Sequence, residues 1–398
     1  MRIGIYGGTF NPPHLGHLNS ARFALEALEL DRLLFIPAAT PPHKTLPNGS
    51  PTARQRLEMM ELAADSLLLE GKVTVSDMEL EREGKSYTAD TLTQLHEKYP
   101  NDELWLLMGT DMLLTLNRWY RPETICGLAH LAAFCRDRDD DVSVLEQQAW
   151  ILHEQYGADA QVLYLPRITE ISSTQIRSAL EEGRGSDCLP VPVYGYILRH
   201  HLYGTKADLT RLKDEELEAC SLSMVYAKRH AHIRGVASEA VKLAKKWGAD
   251  PALAWKAGIL HDCTKYLPLE EHLKICEKYG ILLDDMERSS EKLLHSKTGA
   301  ALARHLYGQC DQVYDAIFCH TTGKPDMTLL EKIIYLADYM EPNRAFEGVE
   351  EMRRLCYEDL DKGLLYALQM SVDELNHRGV PLHPNTRGAL EWAKAHQN

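Results

Sequence analysis

The amino-acid sequence predicts an α/β unit built on a doubly wound parallel sheet, followed by an all-α unit. Residues 1–204 alternate short apolar runs with helical patterns, which is the order of elements in a parallel sheet covered by helices. Residues 222–398 are rich in Ala, Leu, Glu and Lys and contain almost no β-branched runs, as expected of packed helices. The charged segment 205–221 between them is predicted to be a linker or a first helix. With 398 residues and 44% hydrophobic content, the chain is long enough for two or three domains.

The predicted strands of the first part are short apolar runs, as expected of strands that are buried on both faces. They lie at residues 3–6, 33–36, 73–75, 104–108, 131–134 and 162–164. Helical patterns between them include residues 54–69 and 89–99.

The charge balance limits the classes of partner. The formal net charge is -14 at pH 7, so nucleic acid and anionic membrane are not expected as main partners. Small anionic ligands stay open, because a local basic pocket can lie on an acidic surface. The nine cysteines occur singly and form no CxxC pair, which argues against a zinc ribbon or a disulfide framework.

Targeting and membrane segments are not expected either. No apolar run approaches the roughly 18 residues of a membrane span, and the N-terminus begins with a predicted strand rather than a signal peptide. These features predict a soluble, cytoplasmic protein.

The most informative motif follows the first predicted strand. It reads Gly7-Gly8-Thr9-Phe10-Asn11-Pro12-Pro13-His14-Leu15-Gly16-His17. The two glycines allow a ligand to approach the backbone closely. The two histidines, three residues apart at the start of a helix, lie on one face and can both reach phosphate oxygens. Such a pair behind a Gly-Gly turn is poorly explained as two ordinary helix-start residues.

A second candidate for phosphate binding ends this part of the chain. It reads Ile171-Ser172-Ser173-Thr174-Gln175-Ile176-Arg177. Its hydroxyl residues can cap a new helix whose free N–H groups face phosphate, and Arg177 adds a positive charge one turn later. Alone this is a common structural feature. Together the two motifs look like two ends of one ATP site, because attack on the α-phosphate of a nucleoside triphosphate needs mainly positioning and charge stabilisation.

The two motifs resemble the (T/H)xGH and ISSTxxR signatures of the nucleotidyltransferase superfamily, which implies a Rossmann-like fold. Residues 1–204 further resemble the bacterial nicotinate-nucleotide adenylyltransferase family in four segments: Pro41-Pro42-His43-Lys44, Ser86-Tyr87-Thr88-Ala89-Asp90-Thr91-Leu92, Met108-Gly109-Thr110-Asp111 and Asn117-Arg118-Trp119. That resemblance implies that ATP, with Mg²⁺, and nicotinate mononucleotide give nicotinate adenine dinucleotide and pyrophosphate. A coenzyme A or glycerol-phosphate transferase explains neither the 86–88 nor the 117–119 segment.

The same resemblance implies roles for single residues. Lys44 would contact phosphate, and Thr88 with neighbouring N–H groups would bind the nicotinate carboxylate. Trp119 would stack on the pyridine ring, although a buried core aromatic is the alternative for this residue. Asp111, shortly after Gly109, would lie beside the nucleotide ribose.

Arg136 is a further basic candidate, because it directly follows a predicted strand and doubly wound sheets bind ligands at that edge. The catalytic candidates of this part are His14, His17, Lys44 and Arg177. The binding candidates are Gly7, Gly8, Thr9, Phe10, Thr88, Gly109, Asp111, Trp119, Arg136, Ser172, Ser173 and Thr174.

Histidines are concentrated in the second part, since residues 222–398 hold ten of the eighteen. His232, His261-Asp262 and Asp338 follow one another in helical segments. Facing inward, they would supply nitrogen and carboxylate ligands suited to Fe, Mn, Co or Zn rather than Ca²⁺. A bare His-Asp pair is frequent by chance, whereas this ordered set of four is a much stronger signal.

A second metal is predicted from two further histidines. His295 and His320 lie between the second and last of those ligands, and Asp262 would bridge both metals. Two metals a few Å apart can activate water and hold both oxygens of an in-line phosphoryl displacement. Lys265 and Arg344 are candidates for holding phosphate. Three other histidines are expected to be ordinary core or surface residues: His272, His305 and His377.

The order of ligands resembles the HD superfamily of metal-dependent phosphohydrolases. Residues 222–398, including Tyr335-Leu336-Ala337-Asp338-Tyr339-Met340-Glu341-Pro342-Asn343-Arg344, resemble the bacterial HD-domain symmetrical diadenosine tetraphosphatase family. This implies an all-α HD-type domain that binds iron or another divalent transition metal and cleaves diadenosine tetraphosphate into two ADP. The residues themselves indicate only a dinuclear phosphohydrolase. A phosphohydrolase of other specificity, such as a nucleoside triphosphohydrolase or cyclic-nucleotide phosphodiesterase, and a non-catalytic regulatory nucleotide-binding module stay open.

The chain is therefore predicted to be a bifunctional enzyme. A nucleotidyltransferase domain is expected at 1–204, a linker at 205–221 and an HD phosphohydrolase domain at 222–398. The expected partners are small nucleotides: ATP, nicotinate mononucleotide and diadenosine tetraphosphate. The sequence leaves open whether the protein forms a homo-oligomer and whether nicotinate or nicotinamide mononucleotide is preferred.

Overall fold

The structure, a computed structural model, describes residues 1–42, 45–136, 142–165 and 172–396, with only the backbone of Arg136. Contacts divide the chain into two units, Met1–Lys206 and Ala207–Asn398. Residues 207–221 of the segment expected to be a linker lie in the second unit. They contain a 3₁₀ turn at Leu209–Arg211 and most of a helix at Asp214–Leu222.

The described strands of the first unit form one parallel sheet in the order β3-β2-β1-β4-β5-β6. They are β1 Arg2–Gly8, β2 Arg32–Pro37, β3 Val73–Val75, β4 Glu103–Gly109, β5 His130–Arg136 and β6 Ala160–Leu165. Successive side chains point to opposite faces, and both faces are buried. In β2, for example, Leu33 and Phe35 join one apolar cluster, while Leu34 and Ile36 join another. The predicted doubly wound sheet is confirmed.

Helices cover both faces of this sheet. They are α1 Leu15–Ala27, α2 Ala53–Asp65, α3 Thr88–Lys98, α4 Thr110–Thr115, α5 Pro122–Leu128, α6 Val142–Tyr156, α7 Ser173–Glu181 and α8 Val191–Arg199. Short 3₁₀ turns lie at Leu116–Arg118, Ser186–Cys188 and Leu202–Gly204. Helix α2 ends four residues before the predicted limit, because the chain turns towards β3 with Leu68 at a φ of 55°.

The arrangement of strands places a ligand site in a definite position. β1 pairs with β2 on one side and β4 on the other, so the order of strands reverses between β1 and β4. Doubly wound sheets bind ligands in the crevice outside the carboxyl ends of the strands at such a point. Tyr6 pairs with Leu107 in parallel register, so the loop after Gly8 and the end of β4 at Gly109 share that edge.

The described elements of the second unit are all helical, which confirms the predicted all-α fold. They are α9 Asp214–Leu222, α10 His230–Trp247, α11 Pro251–Leu260, α12 Leu269–Lys278, α13 Glu291–His305, α14 Asp311–Cys319, α15 Leu329–Met340, α16 Val349–Glu358, α17 Leu360–His377 and α18 Pro384–Ala395, with 3₁₀ turns at Leu209–Arg211, Ala227–Arg229 and Glu287–Ser289. Helices α10, α11, α14 and α15 pack against one another, and α13 packs against α14. Across the described residues of both units, none of the helices combines the length and apolarity needed to cross a membrane.

Candidate active sites

The loop after β1 turns back sharply onto the strand. Phe10 has a left-handed φ of 47°, and its ring packs edge-on against Tyr6 and Phe35. A Cβ at Gly8 would lie 2.9 Å from Phe10 Cζ, so a glycine is required there by the protein itself. A Cβ at Gly7 would meet nothing within 4 Å. Gly7 therefore faces open space, where a ligand can approach the backbone.

The two histidines of the first motif form the start of α1. His14 is the N-cap residue and His17 is the third helical residue, and the His14 N–H donates to His17 Nδ1 at 3.2 Å. Their ring centroids lie 3.7 Å apart. Because the first N–H groups of a helix carry partial positive charge, this end of α1 favours an anion beside both imidazoles.

The second motif packs onto the first. Ser172 caps α7 by accepting from the Gln175 N–H at 3.3 Å. Ser173 Oγ donates to the Pro12 carbonyl at 3.2 Å, and Arg177 Nη1 donates to the Asn11 carbonyl at 2.8 Å. The structure thus brings together two motifs that are about 160 residues apart in sequence.

Two residues that sequence reasoning missed hold this loop in place. Arg56 is fully buried and donates to the Thr9 carbonyl at 2.8 Å and the Ala39 carbonyl at 3.0 Å. Tyr203 donates its hydroxyl proton to Asn11 Oδ1 at 2.8 Å. The sequence did contain one indication that Arg56 is buried. Arg56 lies at helical spacing from residues 59, 60 and 63, which form the buried face of α2.

Replacing Arg56 by methionine is expected to destabilise the first unit. The substitution keeps most of the apolar stem but removes the donors to two part-buried carbonyls, so the free energy of unfolding should fall by about 3 kcal/mol. Arg54→Met on the same helix is the control, since Arg54 forms an exposed pair with Glu58 worth less than about 1 kcal/mol. Calorimetry of the full chain measures both changes. Equal effects of the two substitutions would show that Arg56 does not hold the loop.

Thr88 and Trp119, the candidates for binding the nicotinate ring and its carboxylate, lie at the carboxyl edge of the sheet. Thr88 begins α3, and the preceding Ser86 is bonded through its N–H to the Thr40 carbonyl beyond β2 at 2.9 Å. The adjoining rings of Tyr87 and Tyr120 lie 4.5 Å apart, which brings this segment to the one containing Trp119.

Trp119 itself is half-buried and packs against one of the two core clusters, so part of its ring belongs to the core. Gly109 ends β4, and Asp111 lies exposed in the first turn of α4. Lys44 and Ile171 lie outside the described residues, and only the backbone of Arg136 is described.

The six predicted metal ligands of the second unit meet in one cluster. His232 lies in α10, His261 and Asp262 directly follow α11, His295 lies in α13, His320 directly follows α14, and Asp338 lies in α15. The expectation that His232, His261, Asp262 and Asp338 all lie on helices is wrong for His261 and Asp262, which occupy the turn after α11.

One side of the cluster combines four residues. His232 Nε2 lies 3.1 Å from Asp338 Oδ1 and 3.8 Å from Asp262 Oδ2. His261 Nε2 lies 3.4 Å from the same Asp262 oxygen and 3.9 Å from Asp338 Oδ1. In the described residues, no hydrogen-bond partner is found for the buried His232 Nε2, His261 Nε2 and Asp262 Oδ1. Such convergent buried atoms without partners fit a bound cation.

The other side uses the second oxygen of Asp262. His295 Nε2 lies 3.2 Å and His320 Nε2 3.8 Å from Asp262 Oδ1, and the two histidine nitrogens lie 3.1 Å apart. The ligand atoms of Asp262, His295 and His320 all lie within 4.8 Å of one another, as do those of His232, His261 and Asp262. Asp262 therefore faces two adjoining groups, each able to hold a metal.

The far nitrogens of three ligand rings are held by the protein, which fixes their orientation. His261 Nδ1 and His320 Nδ1 each lie 2.7 Å from a backbone carbonyl, and His232 Nδ1 lies 3.1 Å from Glu341 Oε1. Glu341, which sequence reasoning missed, is buried and also accepts from the Asn343 N–H. A Cβ at Gly235, one turn after His232, would collide with Glu341 Oε2.

The pKa shifts of the two carboxylates, His295 and His320 suit metal binding. Burial, with the neighbouring His295 and His261, lowers the pKa of His320 to about 3, and burial also lowers the pKa of His295. Burial by itself raises the pKa of Asp262 and Asp338, but the facing histidines outweigh it and hold both well below their ordinary values. Charged carboxylates and neutral imidazoles are the forms in which these groups bind metals, so His261, whose pKa is raised in spite of its burial by Asp262 and Asp338, would give up its proton on binding.

Three cations border the two carboxylates. Arg229 Nε donates to Asp262 Oδ2 at 2.7 Å, and Lys265 Nζ lies 3.5 Å from Asp262 Oδ1. Arg344 Nη2 donates to Asp338 Oδ1 at 2.9 Å. Arg229 was not predicted from the sequence, although it precedes His232 by one helical turn. These contacts orient the carboxylates and concentrate positive charge at the cluster.

The remaining histidines do not belong to this cluster. His272 is buried against Thr298 at 2.8 Å, His305 stacks on Tyr279, and His377 is exposed, as expected of ordinary residues. A separate group combines His383 with Asp284 and Glu287. His383 Nδ1 accepts from the Asn385 N–H at 3.1 Å, and its Nε2 lies 3.2 Å from Asp284 Oδ2 and 3.3 Å from Glu287 Oε1.

Two family models match the chain. The model described as cytidylyltransferase-like matches residues 5–179, and the HD domain model matches residues 229–343. Fold and sites thus define a protein that joins a nucleotidyltransferase unit to an HD-domain unit.

Individual relatives narrow both classes. A probable nicotinate-nucleotide adenylyltransferase of Lachnoclostridium phytofermentans is 39% identical over 203 residues, 51% of this chain and 98% of the relative. A symmetrical bis(5′-nucleosyl)-tetraphosphatase of Bacillus subtilis is 38% identical over 179 residues, 45% of this chain and 96% of the relative. The chain belongs to the nicotinate-nucleotide adenylyltransferase family in its first part and to the symmetrical bis(5′-nucleosyl)-tetraphosphatase family in its second, which confirms both resemblances.

A third relative combines both names. The probable nicotinate-nucleotide adenylyltransferase/Ap4A hydrolase of Mycoplasma pneumoniae is 29% identical over 349 residues, 86% of this chain and 89% of the relative.

Proposed function

We propose that the chain is a bifunctional enzyme. Its first unit transfers the adenylyl group of ATP to nicotinate mononucleotide, which gives nicotinate adenine dinucleotide and pyrophosphate. Its second unit hydrolyses diadenosine tetraphosphate symmetrically to two ADP. The observation that carries the proposal is that each unit spans nearly a whole single-activity relative and also contains the corresponding assembled site.

In the first unit a phosphate oxygen of nicotinate mononucleotide attacks the α-phosphorus of MgATP, and pyrophosphate leaves. Negative charge grows on the transferred group and on pyrophosphate. The imidazoles of His14 and His17 and the N–H groups at the start of α1 lie where they can stabilise this charge. Arg177 adds its guanidinium from α7, and Gly7 allows the phosphates to lie close to the backbone.

Recognition of the acceptor, nicotinate mononucleotide, is assigned to residues around the start of α3. Thr88 and adjoining N–H groups at the start of α3 would bind the nicotinate carboxylate, because helix starts favour anions. The exposed part of Trp119 would stack on the pyridine ring, and Asp111 would lie beside a ribose. Lys44 would contact phosphate, and Arg136 is a further basic candidate at the carboxyl edge of the sheet.

In the second unit, His232, His261, Asp262 and Asp338 would hold one metal, and Asp262, His295 and His320 a second. The nitrogen-rich donor set fits iron or another divalent transition metal. A bound metal pair supplies Lewis acidity for phosphate oxygens and lowers the pKa of water.

The chain's own residues position the substrate. Lys265 and Arg229 lie beside Asp262 at the partly exposed rim of the cluster, where they can bind the oxygens of the polyphosphate. The Arg344 guanidinium donates to both the carboxylate and the backbone carbonyl of Asp338. The first role of Arg344 is therefore to orient Asp338.

Two separate reaction mixtures test the proposal on the full chain after anaerobic reconstitution with iron. ATP, Mg²⁺ and nicotinate mononucleotide should yield pyrophosphate, and diadenosine tetraphosphate should yield ADP as sole product. Nicotinamide mononucleotide in the first mixture measures base preference. Pyrophosphate without any ADP would leave the first assignment intact and show that the second unit has another substrate or a regulatory role. Absence of pyrophosphate would contradict the first assignment.

A further inference from the structure

Two tyrosines outside the metal cluster form an exposed aromatic pair. Tyr226 and Tyr266 are 55% and 40% exposed, and their ring centroids lie 4.7 Å apart with planes inclined at 63°. They come from segments far apart in sequence. Lys228 Nζ lies 5.7 Å from the centroid of the Tyr226 ring. An exposed aromatic surface with a cation beside it matches the chemistry of a nucleobase next to a phosphate.

Both tyrosines are attached to the cations at the rim of the cluster. The Arg229 N–H donates to the Tyr226 carbonyl at 2.8 Å, and the Arg229 side chain reaches Asp262. Tyr266 directly follows Lys265, whose Nζ also lies beside Asp262. The Asp262 side chain is fully buried, whereas those of Arg229 and Lys265 are 19% and 30% exposed. Exposure therefore increases from the carboxylate through the cations to the aromatic rings.

We propose that the Tyr226–Tyr266 pair binds a purine base of the dinucleotide whose polyphosphate reaches the metal cluster. The rings would bind the base, while the cations and the metal cluster would bind the polyphosphate attached to it. Stacking on tyrosine tolerates different bases, so the pair provides affinity for nucleotides over inorganic polyphosphates. This inference rests on the proposed hydrolase function of the second unit.

The test replaces both tyrosines by leucine in the full chain, with a double phenylalanine variant that keeps the rings. We expect the leucine variant to raise KM for diadenosine tetraphosphate about 5- to 100-fold, the range for losing one stacked base, with kcat nearly unchanged. Hydrolysis of inorganic tetraphosphate, which has no base, and the iron content should not change. The phenylalanine variant should retain the original KM.

Tyr279→Leu is the matched control. Tyr279 also lies beside a lysine, with Lys278 Nζ 5.0 Å from its ring centroid, but it stacks on His305. His305 lies ten residues beyond His295 in α13, which corresponds to about 15 Å along the helix. This variant should keep the original KM.

An unchanged KM in the leucine variant would overturn the base-binding assignment while leaving the hydrolase function in place. Loss of iron, or an equal loss of activity on inorganic tetraphosphate, would overturn the base-binding assignment and show that the two tyrosines stabilise the structure instead. If the unaltered chain hydrolyses neither diadenosine tetraphosphate nor inorganic tetraphosphate, the hydrolase proposal fails. Base binding by the tyrosine pair is then tested separately by calorimetric titration with ADP. One ADP site lost in the leucine variant supports base binding, and identical titrations overturn it.

Discussion

Asp262→Ala should remove the bound metal and reduce hydrolysis of diadenosine tetraphosphate at least about a thousandfold, with adenylyl transfer unchanged. Asp262 belongs to two of the three metal-capable groups found in the cluster, and its two oxygens face different histidine pairs, so its loss affects both sides of the cluster. Metal catalysis of this kind contributes several kcal/mol, and each 1.36 kcal/mol corresponds to a tenfold change in rate. Metal content by elemental analysis, ADP release and pyrophosphate release measure the three parts of the prediction.

Two further variants make this result specific. Asp262→Asn keeps the shape and one oxygen, so it separates loss of charge from loss of folding in a buried position. Asp284→Asn alters the separate group with Glu287 and His383, in which His383 Nε2 lies 3.2 Å from Asp284 Oδ2. It should retain metal and hydrolysis. If Asp284→Asn loses the metal while Asp262→Asn keeps it, the metal centre has been assigned to the wrong cluster.

His17→Gln should reduce adenylyl transfer about 100- to 1000-fold, the usual effect of removing one donor to transition-state charge, and leave hydrolysis unchanged. The glutamine is chosen because His17 has a structural role as well. Its Nδ1 accepts the His14 N–H, and glutamine at the third helical position can accept the same hydrogen bond. The stability of α1 is thereby retained while the imidazole is removed. Initial rates of pyrophosphate release measure the effect.

His96→Gln provides the comparison within the same unit. His96 lies exposed in the last turn of α3, away from the helix start that holds Thr88. This variant should transfer adenylyl groups at the original rate. Near-normal transfer by His17→Gln would show that the imidazole does not act on phosphate. Loss of hydrolysis in His17→Gln, with both units folded, would rule out two independent sites.

Local sequence by itself determined the fold classes and most candidate residues. Apolar runs between helical patterns predict a parallel sheet, since strands buried on both faces must be apolar throughout. The Gly7–Gly8 turn and the paired histidines mark a phosphate site because glycine turns and helix starts are local features. The order of His232, His261, Asp262 and Asp338 likewise indicates a metal centre from residue types that are costly to bury without partners.

Only the tertiary structure decided which groups act together. Arg56, Tyr203 and Arg229 act through carbonyl, amide or carboxylate oxygens far away in sequence, and no local pattern encodes such contacts. The approach of Arg177 to Asn11 depends on α7 packing beside the loop after β1. The two oxygens of Asp262 face different histidine pairs because α10, α11, α13 and α14 place those side chains around one point. Distance and orientation between segments arise from packing, which is a property of the whole chain.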